Sequence, residues 1–318
     1  MQIALIVILL LIAVGFFYEQ YARHKAKSYK IEGDFIDVGG HKLHYLKKGD
    51  GKATIIFETG VEFGGHIVWR NIQEKLSKNF TTLSYDKAGT LHSQRGDNPK
   101  TCASMAEELH SLVEKLALPK PYILVGHSLA GLTLRSFVDQ YPEHVVGAVL
   151  LDPAHPDTYD DFPPKTRKKY TSFPPMWVVA PLLRLGIIRI MFLKLIDKFA
   201  PNAQKSEKDN FKEAVDLIHK GFGTYIEEVR KILQFSAETK GLEFREIPVV
   251  VLGATKPTFD TPEDWDGVKV MNDNHINKTV KSSPNGRYIA VDCPHTIQFE
   301  KPDLVVEVVE EFAKEVLV

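Results

Sequence analysis

A serine at a sharp turn between an apolar strand and a helix is the feature that most constrains this chain. Tyr122 to Val125 is a short β-type run, and the motif Gly126 to Gly131 (GHSLAG) follows it directly. Leu132 to Val138 then has the pattern of a helix. Such a turn forces strained backbone angles on Ser128, so the residues two positions away on either side must be small. Gly126 and Ala130 meet this requirement, although the second place is more often glycine.

Apolar strands alternate with helices along most of the chain. An entry hairpin is expected from residue 34 to residue 46, around Gly39-Gly40. Continuous apolar strands are expected at 54–58, 80–85, 145–151, 247–252 and 287–291, and helices at 69–78, 102–116 and 302–316. This alternation predicts an α/β fold, with a mostly parallel sheet that carries helices on both faces.

One long helical stretch, residues 153–246, interrupts the alternation after the strand that follows the serine strand. It begins rich in proline and charge, continues as an apolar stretch with basic residues, and ends in an amphipathic helix expected from Ser206 to Phe235. We therefore expect a core domain formed by residues 31–152 and 247–318, with 153–246 as a helical cap. The apolar stretch suits a cap core, a substrate pocket or a bilayer surface.

The first residues differ in character from the rest. Ile3 to Phe17 is almost wholly apolar and uncharged, and residues 1–21 nearly reach the length of a membrane span. We expect a membrane anchor at 1–21 and a basic linker at 22–30, with a cleaved signal peptide as the alternative. The basic residues after the anchor favour a single-pass protein with a cytoplasmic catalytic domain, and a secreted or extracytoplasmic domain stays open.

The overall composition narrows the function classes. Lys and Arg total 40 against 41 Asp and Glu, which gives no support for a nucleic-acid partner. Cys102 and Cys293 are far apart, so no disulfide framework is predicted. We find no metal-ligand spacing and no phosphate loop, and therefore predict no metal and no cofactor.

The serine turn, in its strand–turn–helix setting and with a histidine near the end of the chain, resembles the α/β-hydrolase family, in the serine-hydrolase branch with a helical cap. The resemblance covers nearly everything after residue 30. It implies that Ser128 is the nucleophile. Relatives such as epoxide hydrolases and haloalkane dehalogenases use an aspartate there, so Ser128 sets this chain apart from them.

The resemblance also implies the partners of the serine. His295, on the loop between the last strand and the last helix, matches the catalytic base. Lys256 stands where the family most often has its acid, so the acid stays open between Asp152, Asp260 and Asp264, with Asp152 preferred. The backbone N–H groups of Val61 and Leu129 match the oxyanion hole.

Several other polar residues are expected to have structural roles. His127 is expected to support the turn, and Asp86 to stabilise its own loop. His92, His155 and His275 are expected at structural or surface positions, with a place in the pocket wall as the alternative for His92 or His155.

The expected function is hydrolysis of an ester or related acyl bond through a Ser-His-Asp triad and an acyl-enzyme, as in carboxylesterases and lipases. The partner is then a small-molecule acyl substrate, and the membrane is reached through the N-terminal helix. Two alternatives stay open: a peptidase, amidase or acyltransferase with the same triad, and a non-catalytic binding protein on this fold.

Overall fold

A single sheet organises the molecule. The computed structural model describes residues 2–244, 247–257 and 262–317, and backbone only for 262–267. Within these residues eight strands pair in the order β1-β2-β4-β3-β5-β6-β7-β8. The strands are β1 (Asp34–Asp37), β2 (Lys42–Lys48), β3 (Thr54–Glu58), β4 (Thr81–Tyr85), β5 (Tyr122–His127), β6 (Val145–Leu151), β7 (Val249–Ala254) and β8 (Arg287–Val291).

The sheet is antiparallel only where the chain enters it. The pairs β1–β2 and β2–β4 are antiparallel, whereas every pair from β4 across the sheet to β8 is parallel. The predicted α/β fold, with its entry hairpin and mostly parallel sheet, is confirmed. Parallel strands end at one edge of the sheet, so the residues after β3, β5, β6 and β8 can meet there.

Helices cover both faces of this sheet. Outside the stretch between β6 and β7 they are α1 (Gln2–Ala26), α2 (Arg70–Leu76), α3 (Cys102–Lys115), α4 (Ala130–Gln140), α11 (Pro262–Lys281), α12 (Ile297–Glu300) and α13 (Pro302–Val316). Between β6 and β7 lie α5 (Thr158–Asp161), α6 (Pro164–Thr171), α7 (Met176–Arg184), α8 (Ile187–Phe199), α9 (Lys205–Asp216) and α10 (Phe222–Glu238), which we call the inserted helices.

The central strands are largely apolar on both sides because both faces of the sheet are buried. Along β3, Ile56 packs into the core on one face, while Ile55 and Phe57 pack into the core on the other. In β5, Leu124 likewise joins the first core and Ile123 the second. The alternation of side chains along a strand thus supplies two cores from one apolar run.

One helix prediction was wrong, and one helix was not predicted. The single helix expected from Ser206 to Phe235 is divided into α9 and α10 by residues 217–221. Gly221 lies at this break, where glycine disfavours a continuous helix. The sequence patterns gave no prediction for Pro262–Lys281, where α11 forms. Of its described side chains, few are both apolar and buried, among them Val268 and Ile276, so the amphipathic pattern is weak.

The N-terminal helix is longer than the predicted anchor. α1 continues to Ala26 and so includes most of the expected linker. Ala22 and Ala26 are buried, and Arg23 donates to Glu19 one turn earlier at 2.8 Å, which extends the helix past residue 21. Among the described residues, α1 is the single helix that is long and apolar enough by itself to cross a membrane, by length and composition only.

Candidate active site

Ser128 lies on a strained turn between β5 and α4. Its φ angle is +55°, in the left-handed region that most side chains avoid. A Cβ atom at Gly126 would lie 2.8 Å from the Cβ of Ala130, so the first of these two positions requires glycine and the second tolerates a methyl group. The turn is stabilised by the carbonyl of Ser128, which accepts hydrogen bonds from the N–H groups of Gly131 and Ala154.

Asp152 and His295 meet at the carboxyl edge of the sheet. Asp152 follows β6, also with a positive φ of +42°, and its Oδ2 lies 2.5 Å from Nδ1 of His295. The backbone N–H of Ala254 donates to the other carboxylate oxygen at 3.2 Å. The structure therefore brings together His295 and the preferred one of the three candidate acids.

The other positions considered for the acid are described only in part. Lys256 forms an exposed ion pair with Asp292 at 2.8 Å. Asp260 lies outside the described residues, and Asp264 lies on α11 where only the backbone is described.

His127 connects the serine turn to the His295 loop. Its Nε2–H donates to the backbone carbonyl of His295 at 3.0 Å, and its Nδ1 accepts from the Gln298 amide at 3.2 Å. Burial lowers the pKa of His127 well below its ordinary value, which keeps the ring neutral, and the two hydrogen bonds select this tautomer. His127 thus has two hydrogen bonds through which it can support the turn, the role expected for it.

The backbone N–H groups of Val61 and Leu129 are the two donors expected for an oxyanion site. Within the described chain, the N–H groups of Val61 and Leu129 make no hydrogen bond. Leu129 precedes the first turn of α4, and Val61 lies on the loop after β3. A Cβ at Gly60 would lie 2.9 Å from the Cβ of Ser128, so the close approach of this loop to the serine requires glycine.

Lys87 fixes the orientation of this loop, a role that the sequence analysis missed. Its buried ammonium donates to the carbonyl of Gly60 at 2.7 Å. Because a trans peptide points its C=O and N–H in opposite directions, this bond also sets the direction of the Val61 N–H. Glu228, on the inserted helix α10, accepts from Lys87 at 2.9 Å and from Lys100 at 3.0 Å.

Burial disfavours the charge on Lys87, but the carboxylates around it outweigh that effect and raise the pKa of Lys87. The ammonium is therefore charged at neutral pH.

A cavity of about 290 Å³ opens at these residues. Ser128, Asp152, His295 and Val61 all line it, together with His275. Its aromatic lining consists of Phe63, Tyr159, Phe162, Tyr170, Phe192, Phe199, Phe211, Tyr225 and Phe299. Neither His92 nor His155, the two alternatives for a histidine in the pocket wall, occurs among the described lining residues. His275 takes that place from α11, the helix that was not predicted.

Glu62 supplies a carboxyl group to the cavity wall beside Val61. Burial raises the pKa of Glu62 to about 8, against the opposing effect of Lys87. The group is therefore mostly protonated at neutral pH, and the wall next to the candidate oxyanion site carries little negative charge.

A second polar cluster lies around Asp86. The ligand atoms of His44, His66 and Asp86 lie within 4.8 Å of one another, a set that metals can use. Each oxygen of Asp86, however, already accepts two N–H hydrogen bonds. Oδ1 accepts from the side chain and the backbone N–H of His66. Oδ2 accepts from the side chain of His44 and the backbone N–H of His92. These bonds occupy the carboxylate and hold its pKa well below the ordinary value despite burial. The cluster is thus explained as a structural network.

The comparisons with known proteins place this geometry in a family. The model of the alpha/beta hydrolase fold matches residues 54–302. The chain therefore belongs to the α/β-hydrolase family.

Solved structures with the same fold include Cfl2 from Burkholderia cenocepacia and an esterase from Thermogutta terrifontis. The first is 20% identical with a TM-score of 0.64, and the alignment covers 90% of this chain and 99% of that one. The second is 18% identical with a TM-score of 0.60, covering 87% and 94%. At these identities the likeness shows the fold alone.

Curated relatives match over shorter segments. An uncharacterized protein, YbdG, of Bacillus subtilis is 24% identical over 159 residues, which are 50% of this chain and 49% of the relative. The (lyso)-N-acylphosphatidylethanolamine lipase of Mus musculus is 27% identical over 165 residues, 48% and 46% of the two chains. The chain thus spans about half the length of these relatives. Together with the family, they support a hydrolytic function.

Proposed function

We propose that the protein is a serine hydrolase that cleaves carboxylic esters with an apolar acyl group. The observation that carries this proposal is that Ser128 lines the same cavity as the hydrogen-bonded pair of His295 and Asp152. The aromatic lining supports an apolar acyl group. The esterase and lipase names among the similar proteins agree with this class of substrate.

Ser128 attacks the substrate carbonyl through its side-chain oxygen. Nε2 of His295 accepts the hydroxyl proton while the Oγ–carbon bond forms, because an unactivated hydroxyl is a poor nucleophile. Asp152 accepts the Nδ1–H of His295, which holds the ring in the tautomer that leaves Nε2 free of its own proton.

The carbonyl oxygen becomes negatively charged and accepts hydrogen bonds from the N–H groups of Val61 and Leu129. His295 then returns its proton to the departing alcohol oxygen, and the acyl group stays on Ser128. Water attacks this acyl-enzyme with His295 again as the base, which releases the acid and restores the serine.

The domain organisation follows the same logic. We propose residues 31–152 and 247–318 as the catalytic core and 153–246 as a cap that shapes the acyl pocket. Aromatic side chains from α8, α9 and α10 line the cavity, in agreement with such a role.

An ester screen tests the proposed reaction. We expect the purified protein to hydrolyse p-nitrophenyl esters, with kcat/KM rising from acetyl to medium acyl chains because the cavity wall is aromatic. An anilide and an epoxide of similar size serve as contrasts for amidase and epoxide hydrolase activity. Turnover of the epoxide without turnover of any ester would contradict the proposal.

Lys87→Met tests how the oxyanion loop is oriented. Loss of the bond to Gly60 frees the Gly60–Val61 peptide to rotate, which misplaces one oxyanion donor. We expect kcat for an ester to fall by about 100-fold, within the range found when such a donor is lost, with KM little changed. Steady-state kinetics on one ester measure both constants.

Lys100→Met is the matched control for Lys87→Met. Lys100 also donates to Glu228, yet its other bond goes to the carbonyl of Ala88 and not to Gly60. We expect this variant to lose stability without the selective fall in kcat. Equal falls in kcat for the two variants would show that Lys87 acts only through general stability.

A further inference from the structure

The outer sides of α7 and α8 expose large apolar side chains. Trp177 is 78% exposed, and Met176, Ile187, Ile190 and Met191 are each about two-fifths exposed. We call these five residues the outer face. Several large apolar side chains exposed on two consecutive helices mark a place where another apolar phase or molecule binds.

The apolar side chains that α8 exposes are additional to those that it buries. Its opposite side is already apolar and buried, with Phe192 and Phe199 lining the cavity. A helix that is apolar on two sides separates two apolar environments. One of them is the candidate acyl pocket, and the other contacts the outer face.

The N-terminal helix α1 is attached to this region by a buried ion pair. Arg189 of α8 donates from Nε and Nη2 to the two carboxylate oxygens of Glu19, at 2.9 and 3.0 Å, and both side chains are fully buried. Tyr29, just beyond α1, donates to Asp216 of α9 at 2.7 Å. Cleavage of α1 as a signal peptide would remove Glu19 and leave Arg189 without this partner.

A second contact shows where the corner between α7 and α8 lies along α1. The corner between α7 and α8 contacts α1 at Gly15, where an added Cβ would lie 2.9 Å from the carbonyl oxygen of Leu185. Phe17, two residues further toward the body, is still 68% exposed. A bilayer that covers the apolar surface of α1 as far as Phe17 therefore also covers this corner.

Exposed basic side chains border the region. Arg184, Lys194 and Lys198 are exposed on α7 and α8, and Lys25 and Lys27 follow at the end of α1. Long basic side chains beside an apolar helix face can reach lipid phosphates while their stems stay in the apolar layer.

We propose that the outer face and α1 form one surface immersed in a lipid bilayer, and that the enzyme takes acyl lipids from that bilayer as substrates. The occupant of the outer face is the lipid itself. The choice of substrate rests on the proposed function, whereas immersion of the outer face does not.

Lipid-borne quenchers test the immersion directly. The full chain is reconstituted in phosphatidylcholine vesicles with and without acyl chains brominated near the interface, and tryptophan emission is recorded. α1 contains no tryptophan, so its insertion alone leaves the emission unchanged. We expect bromolipid to quench the wild type, and this quenched part to disappear in Trp177→Phe.

Equal quenching in the wild type and Trp177→Phe would overturn the proposal. So would an oligomer in mild detergent that shields Trp177 and persists, unquenched, in the vesicles, because the occupant of the outer face would then be a second copy of the chain.

A kinetic comparison tests the substrate class. In the triple variant Trp177→Ser/Ile190→Ser/Met191→Ser, we expect kcat/KM for a long-chain ester in vesicles to fall roughly tenfold or more, because apolar contact area with lipid is lost. Hydrolysis of a soluble short-chain ester should stay within about twofold of wild type, as for an ordinary surface change. Val270→Ser, another exposed apolar position, is the control.

Equal falls for vesicle and soluble esters would overturn the lipid-substrate inference, since the outer face would then support the fold. If no ester of either kind is hydrolysed, the proposed function fails, and the quenching result still decides whether the outer face is immersed.

Discussion

Ser128→Ala is expected to lower kcat for an ester by about 10⁶-fold, the loss seen when the nucleophile of a serine triad is removed. The reason is that no other hydroxyl can form the acyl-enzyme from the strained turn between β5 and α4. KM should change little because the cavity wall is intact. Alanine has the same backbone requirement as serine at a φ of +55°, so the thermal midpoint should stay close to that of the wild type. Kinetics and thermal unfolding measure the two quantities separately.

Ser136→Ala is the matched control. Ser136 is buried in the middle of α4, away from the turn that carries Ser128, and its hydroxyl accepts from Gln140. We expect normal turnover in this variant. Residual ester turnover in Ser128→Ala above about one part in a thousand would place the reaction elsewhere, because it exceeds what binding and the oxyanion site alone supply.

Asp152→Asn is expected to lower kcat by about 10⁴-fold with little change in KM. Asparagine keeps the shape of the side chain but removes the charge that orients His295, so the ring adopts the wrong tautomer. Asparagine is also well tolerated at positive φ, which makes loss of the fold a poor explanation for the effect. The measurement is kcat and KM for one ester across neutral pH.

The control for Asp152→Asn is Asp292→Asn, another carboxylate at a strand end, which is exposed and paired with Lys256. This change should leave kcat near the wild-type value. If Asp152→Asn is active and Asp260→Asn or Asp264→Asn is not, the acid belongs to the alternative position.

The central sheet was predictable because its strands carry an unambiguous pattern. Continuous apolar runs such as Thr54–Glu58 and Val145–Leu151 are buried on both faces, and both were expected at the bounds that the structure has. The break between α9 and α10 and the polar helix α11 were missed. Both features depend on contacts with other elements more than on the apolar periodicity of the segment itself.

The candidate site was predictable where the role of a residue can be inferred from the local pattern around it. Ser128 and His295 belong to local strand–turn patterns, and Asp152 follows a strand end. The place of Lys87 behind Gly60 could not be expected from sequence, because the two are 27 residues apart and meet only through the sheet order. A lysine two residues after a buried strand was the available signal, since burial of such a charge requires a partner.

The contact between α1 and the inserted helices shows the same difference. Glu19 was visible as a lone acidic residue just after an apolar run, and Arg189 as a basic residue in another apolar stretch. Nothing in either segment indicates that the two are partners, because ion pairing between distant segments depends on the tertiary fold.

Covalent labelling tests the central claim most directly. The full chain is treated with a fluorophosphonate, which reacts with an activated serine, and the labelled peptides are identified by mass spectrometry. We predict one adduct, on the peptide that contains Ser128, absent in Ser128→Ala and formed much more slowly in Asp152→Asn. An adduct that persists in Ser128→Ala, or a wild-type protein that stays unlabelled while it hydrolyses esters, would contradict the account.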